Sequence, residues 1–341
     1  MNPFERFSKI TKDVFLFIKE NPGTSRVEIA KRLNLSEATI SRHVKTLIDA
    51  NLILESGTGD SRIGRKPVNL VVNPSAFQIL GIHVAYEKIK FDAFNLSGER
   101  TFTCRIQISQ NIAFDEMFEL ILKTIKRKKL RRILGIGFAI PAPLDYSEKR
   151  LIYSRFYGWR NILLPSFVMI DSEKVPIFWE NDANLSAIGF HRKTNCNNIV
   201  SVYLDKGVGV GILKDGKIHR GSNGQAGEIG QVLVRKKPKD NFEELEKLII
   251  EESHRDFLSK HTRETLGFTL AIVLRIIDPD ILAFNGEIPR VNKKMMRLIL
   301  KEIKMRLKDK EYPVVIYNGK GIDPIFLGIQ QMVFMNMLEA C

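Results

Sequence analysis

Apolar residues return every three or four positions in three consecutive segments of the first 52 residues, which is the spacing of helices that bury one face. The first segment ends at an Asn-Pro-Gly turn, residues 21–23. The second begins at Ser25, three residues before Glu28, which is the arrangement of a capping box. The third follows Ser36 and keeps its apolar residues on one face. The pattern therefore predicts three short helices.

The opposite face of the third predicted helix carries short hydroxyls and long cations. Side chains of these kinds contact base edges and phosphates when a helix lies in the major groove of DNA. An alternative is a small helical subdomain with a solvated, charged face. The predicted DNA contacts on this helix are Ser36, Thr39, Ser41, Arg42 and Lys45.

Two runs rich in Val, Leu and Ile follow the third helix, at residues 52–56 and 67–74, and predict a β-hairpin. The loop between them holds Arg62, Arg65 and Lys66 among glycines. A basic hairpin loop beside a helix-turn-helix can reach the phosphate backbone or the minor groove as a wing. We therefore expect residues 1–75 to form a winged helix-turn-helix DNA-binding domain, with these three cations on double-stranded DNA.

From residue 76 onward, strand-like apolar runs alternate with amphipathic helical segments, and several strands end in glycine-containing loops. This alternation is typical of an α/β fold whose ligand lies at the strand ends.

The 341 residues include 53 Lys and Arg against 39 Asp and Glu, a formal net charge of +14. Most of this excess lies after residue 75, notably in residues 123–132, which hold seven cations and no acid. Such a run usually forms a solvated helix face, and a basic rim that helps to hold DNA is the alternative.

No apolar run is long enough to cross a membrane, and the N-terminus lacks a signal-peptide core. Three scattered cysteines fit neither a disulfide framework nor a metal motif. We therefore expect a cytoplasmic protein without a metal or a membrane contact.

Polar residues with the chemistry of a sugar site lie at the predicted strand ends. Asn181 and Asp182 follow an apolar strand and precede a helix, so an amide and a carboxylate could bond neighbouring hydroxyls of a polyol. The alternative for this pair is a helix cap. Glu228 lies between glycines that let the backbone approach a ligand closely. Trp159 could pack against an apolar sugar face or belong to the core.

The order and spacing of five segments resemble the ROK family of bacterial sugar repressors and sugar kinases. The segments are GIGFAIPAPLD (135–145), GWRNILLP (158–165), ENDANLSAIGF (180–190), DKGVGVGILKDGKIHRGSNGQAGEIG (205–230) and FNGEI (284–288). Upstream of them, SRIGRKPVNLVVNP (61–74) looks like the wing of the family's repressors.

This resemblance implies an actin-like, ribonuclease H-like sugar-kinase body with two lobes, residues 76–180 and 181–341, and a C-terminal helix able to return to the first lobe. It implies a sugar bound between the lobes and a homodimer or higher oligomer. In the family's kinases the residue that matches Asp182 is the general base and the residue that matches Glu228 binds the sugar. Gln231, which stands where many relatives have a histidine, joins the expected sugar contacts.

The chain departs from the kinase pattern where the family binds ATP. An Asp-x-Gly-Gly-Thr turn cradles the phosphates in ROK kinases, and here His83, Ala85, Tyr86 and Glu87 stand at the corresponding positions. Side chains block the close approach that glycine allows, and a glutamate repels a triphosphate. We therefore expect neither an ATP cofactor nor catalysis.

A second departure concerns the zinc site of many ROK proteins, which uses a histidine and three cysteines. Gln231 replaces the histidine, and no cysteine lies between Cys196 and Cys341. A tetrahedral zinc site needs four ligands of the nitrogen and sulfur type, so we expect none here. Residues 241–257 instead have the pattern of an amphipathic helix.

These features favour a DNA-binding transcriptional regulator of carbohydrate metabolism, a repressor controlled by a sugar in the cleft. One alternative is an ATP-dependent sugar kinase with a DNA-binding head, which Asp182 supports. Another is a constitutive DNA-binding protein whose body only dimerises. Members of the family respond to xylose, glucose, N-acetylglucosamine and other sugars, and the residues do not select one of them.

Overall fold

The computed structural model describes residues 2–58, 68–235, 241–252, 258–288, 292–307, 313–318 and 321–339. Three helices and an antiparallel hairpin form an N-terminal head. Each helix begins at a serine, and Ser25 with Glu28 forms the predicted capping box, because each side chain bonds the other residue's backbone N–H. The head elements are α1 (Lys9–Glu20), α2 (Arg26–Leu33), α3 (Glu37–Asp49), β1 (Ile53–Thr58) and β2 (Val68–Val72).

Lobe 1 is a six-stranded mixed sheet in the order β10-β11-β6-β3-β4-β5, and α4 and a small three-stranded sheet share its hydrophobic cluster. Its elements are β3 (Gln78–Ala85), β4 (Lys88–Asn95), β5 (Arg100–Gln107), α4 (Phe114–Arg127), β6 (Ile133–Ile140), β7 (Leu144–Asp145), β8 (Arg150–Tyr153), β9 (Arg160–Leu163), β10 (Phe167–Ile170) and β11 (Glu173–Asn181).

Lobe 2 is a five-stranded sheet in the order β14-β13-β12-β17-β18. This order repeats that of β5-β4-β3-β6-β11 in lobe 1, with an antiparallel meander followed by two parallel strands in each. Its elements are α5 (Asp182–Thr194), β12 (Ile199–Leu204), β13 (Val208–Lys214), β14 (Lys217–Ile218), a 3₁₀ turn (Ile229–Gln231), β15 (Leu233–Arg235), β16 (Phe242–Glu244), α6 (Leu245–Glu252), α7 (Lys260–Ile277), β17 (Ile281–Asn285), α8 (Lys293–Leu307), β18 (Val314–Tyr317) and α9 (Pro324–Glu339).

The last helix, α9, returns from lobe 2 to lobe 1 and packs on β3 and β6. It also crosses α5 with backbone touching backbone. A Cβ placed on Gly189 would lie 1.8 Å from the carbonyl oxygen of Pro324, and one placed on Gly328 would lie 2.0 Å from the carbonyl oxygen of Leu185. Only glycine permits this approach at either position, so the two helices are held at one crossing.

The head is packed against α9 rather than tethered by a loose linker. Phe334 of α9 lies 6.1 Å, centroid to centroid, from both Phe4 and Phe15 of the head, within one continuous hydrophobic cluster. The Lys19 Nζ donates to the carbonyl oxygen of Leu96 at 2.7 Å and lies 5.0 Å from the Phe334 ring centroid. Burial, with a contribution from nearby Arg192, lowers the pKa of Lys19 to about 8.

The predicted fold class is confirmed, since a winged helix-turn-helix precedes a two-lobed α/β body. Within residues 241–257, which we expected to form one helix, the structure has strand β16 and then α6 up to Glu252, while residues 253–257 lie outside the described part. No helix in the described ranges combines the length and apolar character that a bilayer crossing requires.

Candidate functional site

A solvent-open cleft lies between the two lobes. Its walls come from the turn after β6, the junction of β11 with α5, the glycine turn between β12 and β13, and the 3₁₀ turn. Strand ends of both sheets therefore meet at one place, as expected for the ligand site of an α/β fold. Of the five predicted sugar contacts, Asn181, Asp182, Glu228 and Gln231 line this cleft.

Asn181 is both a helix cap and part of the cleft wall. Its Oδ1 accepts from the backbone N–H groups of Ala183 at 2.9 Å and Asn184 at 3.2 Å, and its Nδ2 donates to the carbonyl oxygen of Ala142 at 3.3 Å. The cap thus fixes the first turn of α5 against the turn that follows β6.

Asp182 is buried at the start of α5, with Oδ1 accepting from the N–H of Ala183 at 2.8 Å and Oδ2 lying 3.8 Å from the Nε2 of His83. Burial raises its pKa to about 7. Desolvation also lowers the pKa of fully buried His83 to about 3, so this imidazole is neutral at physiological pH. His83 therefore adds no positive charge that would hold Asp182 ionised, and a ligand hydroxyl can bond the Asp182 carboxyl group in either protonation state.

Glu228 and Gln231 lie on the opposite wall, at the two ends of the 3₁₀ turn. The Gln231 Nε2 donates to the Glu228 Oε2 at 2.8 Å. Burial raises the pKa of Glu228 to about 7, against the lowering effect of this hydrogen bond. The amide therefore fixes the carboxyl group but leaves its second oxygen for a ligand.

Glu246 is a further carboxyl group in the cleft, and no sequence pattern pointed to it. It lies on α6, with Oε2 3.4 Å from the Nε of Arg155 and Oε1 2.1 Å from where a Cβ on Gly207 would be. Burial, then the neighbouring Glu228, raises its pKa to about 7. It is one of five glutamates in residues 243–252, and only the fold shows which of them reaches the cleft.

Trp159 lies in the core of lobe 1, so the structure supports the packing alternative and corrects the expectation of a sugar contact. It is 5% exposed, its Nε1 donates to the carbonyl oxygen of Ile112 at 2.9 Å, and its ring stacks on Tyr157 with centroids 4.4 Å apart. The indole is enclosed because it fills the space between α4 and the small sheet, where it also meets Phe114 edge-on.

The end of β3 and the turn to β4 carry the residues at which we expect the chain to depart from the kinases. His83 is fully buried, and within the described residues neither of its ring nitrogens has a hydrogen-bond partner. Tyr86 packs edge-on against Phe156, and Glu87 adopts a left-handed backbone conformation while its Oε1 accepts from Gln110 at 2.7 Å.

The candidate nucleic-acid interface is the outer face of α3. Ser41, Arg42 and Lys45 are exposed. Ser36 is exposed as well but caps α3, with its Oγ accepting from the N–H of Thr39 at 3.1 Å, and Thr39 is half-buried beside it. β1 and β2 pair as the base of the predicted wing. The predicted wing contacts Arg62, Arg65 and Lys66 lie outside the described residues.

Three carboxyl groups with raised pKa make the stability of the fold depend on pH. In the folded state they keep protons at pH values where the unfolded chain has lost them, so the free energy of unfolding should fall as the pH rises through 7. Each group should contribute roughly 1 kcal/mol of that fall between pH 6 and pH 8. Urea unfolding of the wild type and of Glu246→Gln at both pH values tests this, and the variant should lose less stability. Exposed Glu148→Gln is the control, and equal pH dependence in all three proteins would contradict the assignment.

Two segments of the chain match known protein families. Residues 79–244 match the ROK family, and residues 7–53 match winged helix-turn-helix DNA-binding proteins. The xylose repressor of Bacillus spizizenii is 32% identical over 225 residues, which are 64% of this chain and 58% of that protein. The chain therefore spans less than two thirds of the length of this relative.

Two crystal structures share the fold. One is a ROK family transcriptional regulator, a homologue of the Escherichia coli MLC protein, with a TM-score of 0.73, 19% identity and coverage of 96% of both chains. The other is a ROK hexokinase from Thermus thermophilus, with a TM-score of 0.58, 18% identity and coverage of 76% of this chain and 99% of that one. The chain thus carries a ROK family domain at residues 79–244, preceded by a winged helix-turn-helix segment at residues 7–53.

Proposed function

We propose that this protein is a DNA-binding transcriptional regulator, a repressor of carbohydrate genes, whose operator affinity is set by a sugar bound between its lobes. The observation that carries the proposal is a single connected path: Asp182 in the cleft begins α5, α5 crosses α9 at two glycines, and α9 packs on the head through Phe334.

The chemistry of the cleft supports an uncharged sugar as the effector. Asp182, Glu228 and Glu246 offer carboxyl oxygens to ligand hydroxyls. The hydrogen bond from Asn181 to the carbonyl oxygen of Ala142 holds the turn after β6 at the wall of the same cleft, where a sugar ring would lie. Ionised carboxyl groups are strong hydrogen-bond acceptors for adjacent hydroxyls. The xylose repressor relative makes xylose the first sugar to test.

On the DNA side, α3 would lie in the major groove, with Ser41, Arg42 and Lys45 on base edges and phosphates. Arg62, Arg65 and Lys66 would hold the adjacent backbone or minor groove as a wing. We place the protein in the cytoplasm, where it would meet its operator. We also propose a homodimer, because two heads in successive major grooves, about 34 Å apart, read a two-fold operator. The sugar acts by binding one arrangement of the dimer more tightly than the other.

We propose that the protein uses neither ATP nor zinc. At the β3–β4 turn, Tyr86 stands where the family's kinases have a glycine, and Glu87 stands where they have a hydroxyl. Gln231 bonds Glu228 in the place of the zinc histidine, so the donor set of a zinc site does not fit here.

Effector binding and operator release can be measured with the full chain. A thermal-shift screen of xylose, glucose and N-acetylglucosamine should yield one stabilising sugar, and that sugar should change the affinity for an operator selected from random DNA by about 5- to 150-fold. Asp182→Asn should remove the thermal shift and the response but keep DNA binding, whereas exposed Asp171→Asn should behave as wild type. Operator binding that ignores every bound sugar would contradict the proposal.

A sugar kinase is the second candidate, because Asp182 lies at the cleft where a general base would face a sugar hydroxyl, and the fold is shared with a hexokinase. A coupled assay of ATP consumption with the same sugars decides between the two. We expect no turnover above that of Asp182→Asn, since Ala85 and Tyr86 replace the two glycines of the kinases' phosphate turn. Turnover that this substitution abolishes would establish the kinase instead.

A further inference from the structure

Glu180, the residue before the Asn181–Asp182 pair, is a buried carboxylate with an unusual number of donors. It is 1% exposed. Its Oε1 accepts from the backbone N–H of Asn181 and the Nδ2 of Asn184, both at 2.9 Å, and from the hydroxyl of Tyr146. A buried charge persists only when it is paired and its lone pairs are satisfied, so these contacts are needed to hold the group in place.

The cation that pairs with Glu180 comes from the other lobe. Arg220 donates from Nε at 2.9 Å and from Nη2 at 2.6 Å to the Glu180 Oε2. Its guanidinium also lies over the ring of Tyr146, 4.6 Å from the centroid. The planar group is thus fixed by two hydrogen bonds and one ring face, a geometry that a lysine cannot reproduce.

Arg220 begins the loop of lobe 2 that carries Glu228. The N–H of Ala226 donates to the carbonyl oxygen of Arg220 at 3.1 Å, and the N–H of Glu228 donates to the carbonyl oxygen of Gln225 at 3.2 Å, so the loop is tied to its first residue. Docking Arg220 on lobe 1 therefore also places Glu228 relative to Asn181 and Asp182.

We propose that Glu180, Arg220 and Tyr146 form an interlobe clamp that positions the sugar-contacting groups of both lobes, an inference that rests on the proposed function. Among the described residues, these three line a cavity that neighbours the sugar cleft rather than the cleft itself. They are positioning residues: they act on the sugar through Asn181, Asn184 and the Glu228 loop. Closure of the clamp selects the lobe angle at which the carboxyl groups of both lobes meet one ligand.

Removing the Arg220 guanidinium should weaken sugar binding without unfolding the protein. Arg220→Met keeps the length of the side chain but leaves Glu180 without its cation, so the loop detaches while the cores of both lobes stay intact. We expect sugar affinity, measured by calorimetry, to fall roughly 10- to 100-fold, since a broken buried pair leaves its partner uncompensated. Arg220→Lys should recover part of the loss, and DNA affinity without sugar should stay at the wild-type value. Exposed Arg131→Met is the matched control.

Hydrogen exchange of the ligand-free chain provides a readout that needs no sugar. In Arg220→Met, exchange should rise in residues 181–186 and 219–231 and stay unchanged in the head and in α7. Glu180→Gln combined with Arg220→Met should lose no more sugar affinity than the worse single variant. Unchanged exchange in both segments, or unchanged sugar affinity in Arg220→Met, would overturn the clamp. Failure of the wild type to bind any sugar would instead defeat the proposed function, with the exchange result still deciding on the clamp.

Discussion

The crossing of α5 and α9 is the contact on which the rest of the molecule depends. Gly189 and Gly328 bring two helix backbones together with no side chain between them, so neither helix can shift without the other. One helix begins in the cleft with Asp182, and the other contacts the head through Phe334. A packed interface of this kind has few alternative arrangements, which suits the transmission of a change in lobe angle to the DNA-binding surface.

The proposed sugar site is built from buried carboxyl groups. Desolvation raises the pKa of Asp182, Glu228 and Glu246 to about 7, and the nearby Asp182 adds to this effect at the two glutamates. Glu180, by contrast, receives Arg220, Tyr146 and two nitrogen donors from the start of α5. One carboxylate is thus fully satisfied by the protein, while the other three retain capacity that ligand hydroxyls can use.

Local patterns predicted the parts of the structure that local interactions determine. The Ser25–Glu28 capping box, the apolar stripe of α3 and the Asn181–Asp182 pair at a strand end are all where the sequence placed them. Contacts between distant segments left no such pattern. Glu246 reaches the cleft only because α6 folds under the glycine turn, and the docking of Phe4 on Phe334 joins residues 330 positions apart. Trp159 illustrates the same limit, because the sequence around a tryptophan is the same whether its side chain faces the ligand or the core.

Thermodynamic reciprocity gives the most direct test of the coupling between cleft and head. Calorimetry would measure the Kd of the stabilising sugar with and without saturating operator, and the Kd of the operator with and without that sugar. If one equilibrium links the two sites, the two ratios must agree, at about 5 to 150, and both should approach one in Phe334→Leu, where α9 loses its ring contacts to the head. A sugar Kd that is the same with and without operator, or a ratio that Phe334→Leu leaves at the wild-type value, would contradict the account.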